Sequence, residues 1–179
     1  MSCNTSSTFG YGVDFNDIEN CQKKDGISKK KALIDAIEKA DGLFAKVAEA
    51  VAAECEEIGG RNEVSKSYLE SYVSTESLKE IIERISGSDS DLWAGEAPAE
   101  MYLAYLLIGQ EYDIDLELCI DDNDLYYLLY TPSYPWFLNE AQKDLKEEEM
   151  ERIFKETFGL LGFLESSLNV GYRESSHTS

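Results

Sequence analysis

IDLELCIDDNDLYYLLY, residues 114–130, carries two apolar patterns on either side of a polar centre. Ile114, Leu116, Leu118 and Ile120 alternate with Asp115, Glu117, Cys119 and Asp121. That period of two puts aliphatic side chains on one face of an extended strand and acids on the other. Asp122, Asn123 and Asp124 supply turn chemistry, and residues 125–131 form a second run, apolar and aromatic. The pattern predicts a β-hairpin with adjacent antiparallel strands over 114–121 and 125–131. It also predicts that Ile114, Leu116, Leu118 and Ile120 are buried.

Upstream of the hairpin, residues 101–108 are apolar nearly all round, which predicts the most buried helix, with Pro98 in a first turn where its missing N–H costs nothing. Leu78, Ile81, Ile82 and Ile85 form a helical stripe, with Ser74 and Thr75 as candidate caps and Gly87 as the stop. Tyr68, Leu69, Tyr72 and Val73 make a short apolar run before it. Between residues 28 and 58, Leu33, Ile34, Ile37, Phe44, Val47, Val51 and Cys55 recur every three or four positions. They predict one long amphipathic helix, bent or broken near Gly42. Near the start, Phe9, Tyr11, Val13 and Phe15 alternate with Gly10, Gly12 and Asp14, a short strand whose glycines allow close backbone approach.

Downstream, Pro132 to Trp136 reads as an aromatic-proline corner. Asp144 and Glu147 have the spacing of a capping box for a helix buried through Met150, Ile153, Phe154, Phe158 and Leu161. Leu168, Val170 and Tyr172 suggest a last edge strand. The expected class is α+β, with four to five helices packed on a small, mostly antiparallel sheet of three to four strands. Residues 9–172 are read as a single globular domain, with 1–8 and 173–179 as loose ends.

A chain of 179 residues with 43% hydrophobic content can build a substantial core. Its 36 acids against 16 bases give a net charge of -20. Direct nucleic-acid binding is disfavoured, because such affinity rests on Lys and Arg neutralising phosphates. An anionic membrane surface is disfavoured for the same reason. Cys3, Cys21, Cys55 and Cys119 match no knuckle or dense disulfide spacing and are read as free thiols in a reducing compartment. The first residues have neither a basic segment nor an apolar one, so a cytoplasmic protein is expected.

Catalytic and metal chemistry find little support in the sequence. Asp113, Asp115, Glu117, Asp121 and Asp124 match carboxylate positions of a calcium loop, but Leu118 stands where that loop needs Gly. Phosphoryl chemistry commonly adds a cation to its carboxylates, and between Arg84 and Lys143 there is no Lys, Arg or His. The sole histidine, His177, lies in a polar C-terminal stretch. Cys119 shares its strand face with acids that should raise its pKa, and Cys55 falls on an apolar stripe. GYG, residues 10–12, lacks the spacing of a phosphate loop. No catalytic residue, metal ligand or cofactor is assigned, and the chain is read as a non-enzyme.

What stands out is charge distribution. Residues 1–40 carry six acids and six bases, whereas residues 41–179 carry thirty acids and ten bases. Residues 85–142 hold twelve acids and no base. On a strand, Asp113, Asp115 and Glu117 would stand about 6 to 7 Å apart in a row. In size and charge the chain resembles the small acidic anti-restriction and anti-CRISPR proteins of phages and mobile elements. That resemblance implies a DNA mimic that covers the basic surface of a nuclease. The expected partner is a basic nucleic-acid-binding protein, met through Asp113, Asp115, Glu117, Asp121, Asp122, Asp124, Tyr134 and Trp136. The alternatives are a non-catalytic interaction domain of other purpose and a carboxylate- or metal-dependent hydrolase.

Overall fold

The computed structural model describes residues 5–54, 64–86, 97–131, 138–143 and 145–178. Its sheet has four antiparallel strands: β1 (Thr5–Asp14), β2 (Glu117–Ile120), β3 (Tyr126–Tyr130) and β4 (Gly171–Thr178), in the order β2-β3-β1-β4. The hairpin is present in the expected register sense, with Leu118 opposite Leu128 and Ile120 opposite Tyr126.

Gly10 and Gly12 determine how this sheet closes. A Cβ on Gly12 would stand 2.1 Å from the Leu128 carbonyl oxygen, and one on Gly10 would stand 2.7 Å from that of Tyr130. Only glycine lets β1 lie this close to β3. The first half of β1 and the last half of β4 then roll over the hairpin. Thr8 Oγ1 donates to Glu117 at 3.3 Å, and the Asp122 N–H donates to the Ser176 carbonyl at 3.1 Å. All five β3 residues are buried as a result. Tyr126, Leu128 and Tyr130 join the main core, and Tyr127 and Leu129, on the other face, are buried as well. An unbroken apolar strand is the expected signature of a strand covered on both faces.

The helices are α1 (Phe15–Asn20), α2 (Lys29–Lys39), α3 (Leu43–Glu54), α4 (Lys66–Tyr72), α5 (Thr75–Ile85), α6 (Ala99–Tyr112), α7 (Glu140–Lys143) and α8 (Glu147–Leu160), with a 3-10 turn over Glu165–Ser167. Central α6 packs against α2, α5, α8 and β2, which explains why residues 99–104 are all buried. Ser28, Ser65 and Ser74 accept the N–H of the residue three positions on, starting α2, α4 and α5. Lys29 and buried Glu100 form an ion pair at 3.1 Å that ties α2 to the first turn of α6. Arg173 on β4 reaches Asp17 at 2.9 Å and Asp14 at 3.5 Å, fastening β4 to α1.

The run over residues 28–58 does break near Gly42, as expected, where Ala40 ends α2 in an extended conformation and Gly42 has φ +68. Several expectations are corrected. Residues 114–116 are not in the strand, since α6 runs on to Tyr112 and closes on left-handed Asp113, φ 54. Ile114 and Leu116 are nevertheless buried, whereas Leu118 and Ile120 on edge strand β2 are only half-buried. Residues 5–8 and 173–178 are not loose ends: the β1–β4 ladder runs from Thr5 opposite Thr178 to Gly12 opposite Gly171. Leu168 and Val170 precede the last strand. Pro98 occupies the N-cap and not the first turn of α6. At α8 the N-cap is Lys146, without a side-chain cap. Asp144, Cys3, Cys55 and the corner Pro132 to Trp136 lie outside the described residues.

Candidate functional site

The six proposed contact acids divide by role. Asp113 closes α6, and Asn139 Nδ2 donates both to its carbonyl at 2.6 Å and to its carboxylate at 3.2 Å. Asp115 and Glu117 follow on the exposed side while Ile114 and Leu116 turn inward, so the alternation survives even though the strand begins only at Glu117. Glu117 accepts from the hydroxyls of Thr8 at 3.3 Å and Thr131 at 3.4 Å. Asp122 and left-handed Asp124, φ 60, are exposed at the hairpin tip.

Asp121 behaves differently. Its carboxylate accepts from the N–H groups of Asn123 at 2.8 Å and Leu125 at 2.9 Å and from the Tyr127 hydroxyl at 3.1 Å. Burial alone would raise its pKa, but these donors outweigh burial and hold the carboxyl below its ordinary value. This carboxylate holds the turn. Tyr134 and Trp136 lie outside the described residues.

Cys119 is partly buried, and its thiol is pushed up to about 11 by burial first and by Glu117 and Asp121 next, against a hydrogen bond from Ser175. A thiol so protonated is a poor nucleophile at neutral pH. His177 sits on β4 opposite Ser6. Among the described residues no group of three or more His, Cys, Asp or Glu is arranged to hold a metal ion, and no helix is long and apolar enough to cross a membrane.

A second feature was not anticipated from the sequence. A cleft of about 570 Å³ lies between the β1–β4 ribbon and the α7–α8 segment. Phe9, Tyr11, Tyr130 and Tyr172 give it an aromatic wall, and Glu147 and Glu148 line it from the first turn of α8. Phe9 and Tyr172 stack with centroids 5.4 Å apart, and Tyr11 meets Tyr172 edge-on at 5.2 Å. Phe9 is 60% exposed and Tyr172 52%. The Tyr172 hydroxyl hydrogen-bonds Glu147. Burial first, then the carboxylates of Glu151 and Glu147, raise the Tyr11 hydroxyl above its ordinary pKa, with Arg173 opposing. The alternation at residues 9–13 placed Phe9 and Tyr11 on a strand and gave no sign of a cleft. Tyr172 had to be placed beside them by β4, whose sequence GYRESSHT has no apolar period.

The cleft and the hairpin acids are neighbours. Tyr130 and Leu138 line the cleft, and the next residues, Thr131 and Asn139, hold Glu117 and Asp113. No family model, no curated protein and no solved structure matches the chain.

Proposed function

We propose that the protein is a non-catalytic binder that covers the basic nucleic-acid-binding surface of another protein, in the manner of a DNA-mimic inhibitor of a nuclease. The reading is carried by one observation: Asp113, Asp115, Glu117, Asp122 and Asp124 are exposed around one hairpin, in a stretch of sequence free of Lys, Arg and His. A rigid edge hairpin presents these charges without the ordering cost of a flexible acidic tail. With a net charge of -20 behind them, the long-range field favours fast encounter with a cationic surface. Duplex DNA engages such surfaces through a dense row of phosphates, and the two compete for the same cations.

The test neutralises Asp113, Asp115, Glu117, Asp122 and Asp124 to Asn or Gln and leaves Asp121 intact, because it holds the turn. Affinity capture from a host lysate is compared for the parent and this variant at rising salt. Basic nucleic-acid-binding proteins should be retained by the parent, released by salt and lost with the variant. If the variant retains the same proteins with the same salt dependence, the hairpin acids are solvated surface and the proposal falls.

A further inference from the structure

The exposed aromatic pair beside the 570 Å³ cleft calls for a ligand of its own. Among the described residues the large apolar side chains left well exposed are Phe9, Ile27, Tyr72, Leu160 and Tyr172. Two of these five stack on one another at the cleft mouth. Exposed aromatic rings that border a concavity make good anchors, because they bring large rigid area at small entropic cost.

The chemistry of the cleft narrows the ligand. Ring faces carry negative quadrupole density and attract cations. Glu147 and Glu148 add formal negative charge. Lys143 and Lys146 stand on the same lining, so the side chains of the cleft alone do not set its sign. At its aromatic end, however, the Tyr172 hydroxyl hydrogen-bonds Glu147, and Glu148 follows it in the first turn of α8. The aromatic end of the cleft is therefore the negative end, within a molecule of net charge -20. A planar cation satisfies both features at once, lying on a ring and donating to a carboxylate.

We propose that this cleft receives an arginine side chain of the basic partner, with the guanidinium against Phe9 and Tyr172 and a hydrogen bond to Glu148. The inference rests on the reading of a basic partner given above and adds a specific anchor to it. The hairpin acids then supply long-range attraction, while the cleft supplies a fixed point of attachment one residue away from the side chains that hold Asp113 and Glu117. The Tyr172 hydroxyl already engages Glu147, which keeps that ring in place across the mouth before any ligand arrives.

The test uses the full chain, isotope-labelled, titrated with end-blocked Gly-Arg-Gly, with the citrulline peptide as a neutral isostere and the glutamate peptide as an anionic control. Aromatic resonances of Phe9, Tyr11 and Tyr172 should shift saturably with the arginine peptide. They should require at least about tenfold more of the citrulline peptide. Phe9→Ala and Tyr172→Ala should abolish the response while spectral dispersion confirms the fold, and Glu148→Gln should weaken it. Asp115→Asn with Glu117→Gln should leave it unchanged, which separates the cleft from the hairpin face. Equal response to citrulline, or shifts confined to the hairpin, would overturn the inference. If the cleft takes arginine but neutralising the hairpin spares partner capture, the anchor stands and the hairpin reading fails.

Discussion

Replacing Asp121 by Ala should destabilise the protein far more than replacing its neighbour Asp122, although both are acids of one hairpin turn. Asp121 accepts three hydrogen bonds, from Asn123, Leu125 and Tyr127. The Asn123 N–H is exposed and recovers water, so its loss costs little. The Leu125 N–H and the Tyr127 hydroxyl are partly buried and would be left without this acceptor. At about 1 to 1.5 kcal/mol for each such donor, the cost is about 2 to 3 kcal/mol. For a chain of this size that lowers the melting temperature by about 5 to 10 °C. Asp122 is exposed, and the bond from its backbone N–H to the Ser176 carbonyl survives truncation of the side chain. Its replacement should stay within about 0.5 kcal/mol. Asp121→Asn keeps an acceptor and should cost about 1 kcal/mol.

The pH dependence follows from the direction of the Asp121 shift. Its folded pKa is depressed, so the carboxylate contributes fully above the unfolded pKa of about 4 and loses that contribution as pH falls through the lower folded value. The stability gap between parent and Asp121→Asn should therefore narrow on acidification from about pH 5 to pH 3. Urea melts across that range measure it. Equal effects of Asp121→Ala and Asp122→Ala at neutral pH would refute the role assigned to the turn carboxylate.

Gly12→Ala should cost about 3 kcal/mol or more in a urea titration, because the new Cβ would meet the Leu128 backbone at 2.1 Å. Gly26→Ala, where φ is +75 but nothing lies within 4 Å, should cost about 1 kcal/mol. Lys29→Met should lose about 2 kcal/mol, since it strands the buried Glu100 carboxylate, whose Oε2 has no partner among the described residues; adding Glu100→Gln should return most of that loss. In a background with Cys3 and Cys55 replaced by Ser, Cys119 should alkylate slowly at pH 7 in the native state and speed up only as pH approaches about 11. Rapid labelling at pH 7 would contradict its protonated, partly buried state.

The parts of the fold legible in the sequence were those with strong local signals. The turn at residues 121–124 and the alternation before it gave the hairpin, and Ser74 gave the start of α5. The α+β class followed from these, with more helices than expected because short ones such as α1 and α7 add to the count. α1 escaped notice: six residues carry too few apolar positions to show a period, and only its Asp14–Asp17 capping box marks it. Most of β4 escaped for a different reason, since the expected last strand reached only Tyr172. Its order comes from the ladder with β1 and from the Arg173 pairs to Asp14 and Asp17, which are long-range contacts invisible to local patterning. The same gap hid the aromatic cleft, because Tyr172 joins Phe9 and Tyr11 only once β4 is in place. Within the acidic hairpin, alternation correctly sent Asp115 and Glu117 outward. It did not reveal that Asp121 holds the turn, because periodicity does not register which backbone N–H groups a carboxylate will meet there.

Competition for duplex DNA tests the central claim most directly. Purified restriction and RNA-guided nucleases, each holding a fluorescent duplex, are titrated with the parent protein and with the variant neutralised at Asp113, Asp115, Glu117, Asp122 and Asp124. The account predicts that a nuclease recovered by capture releases its duplex to the parent. The midpoint should rise with salt, as exposed charge pairs are screened beyond about 8 Å at physiological ionic strength. The neutralised variant should need at least about tenfold more protein, a difference of about 1.4 kcal/mol. Release of the duplex at the same midpoint by parent and variant, or capture of a nuclease that keeps its duplex throughout, would contradict it.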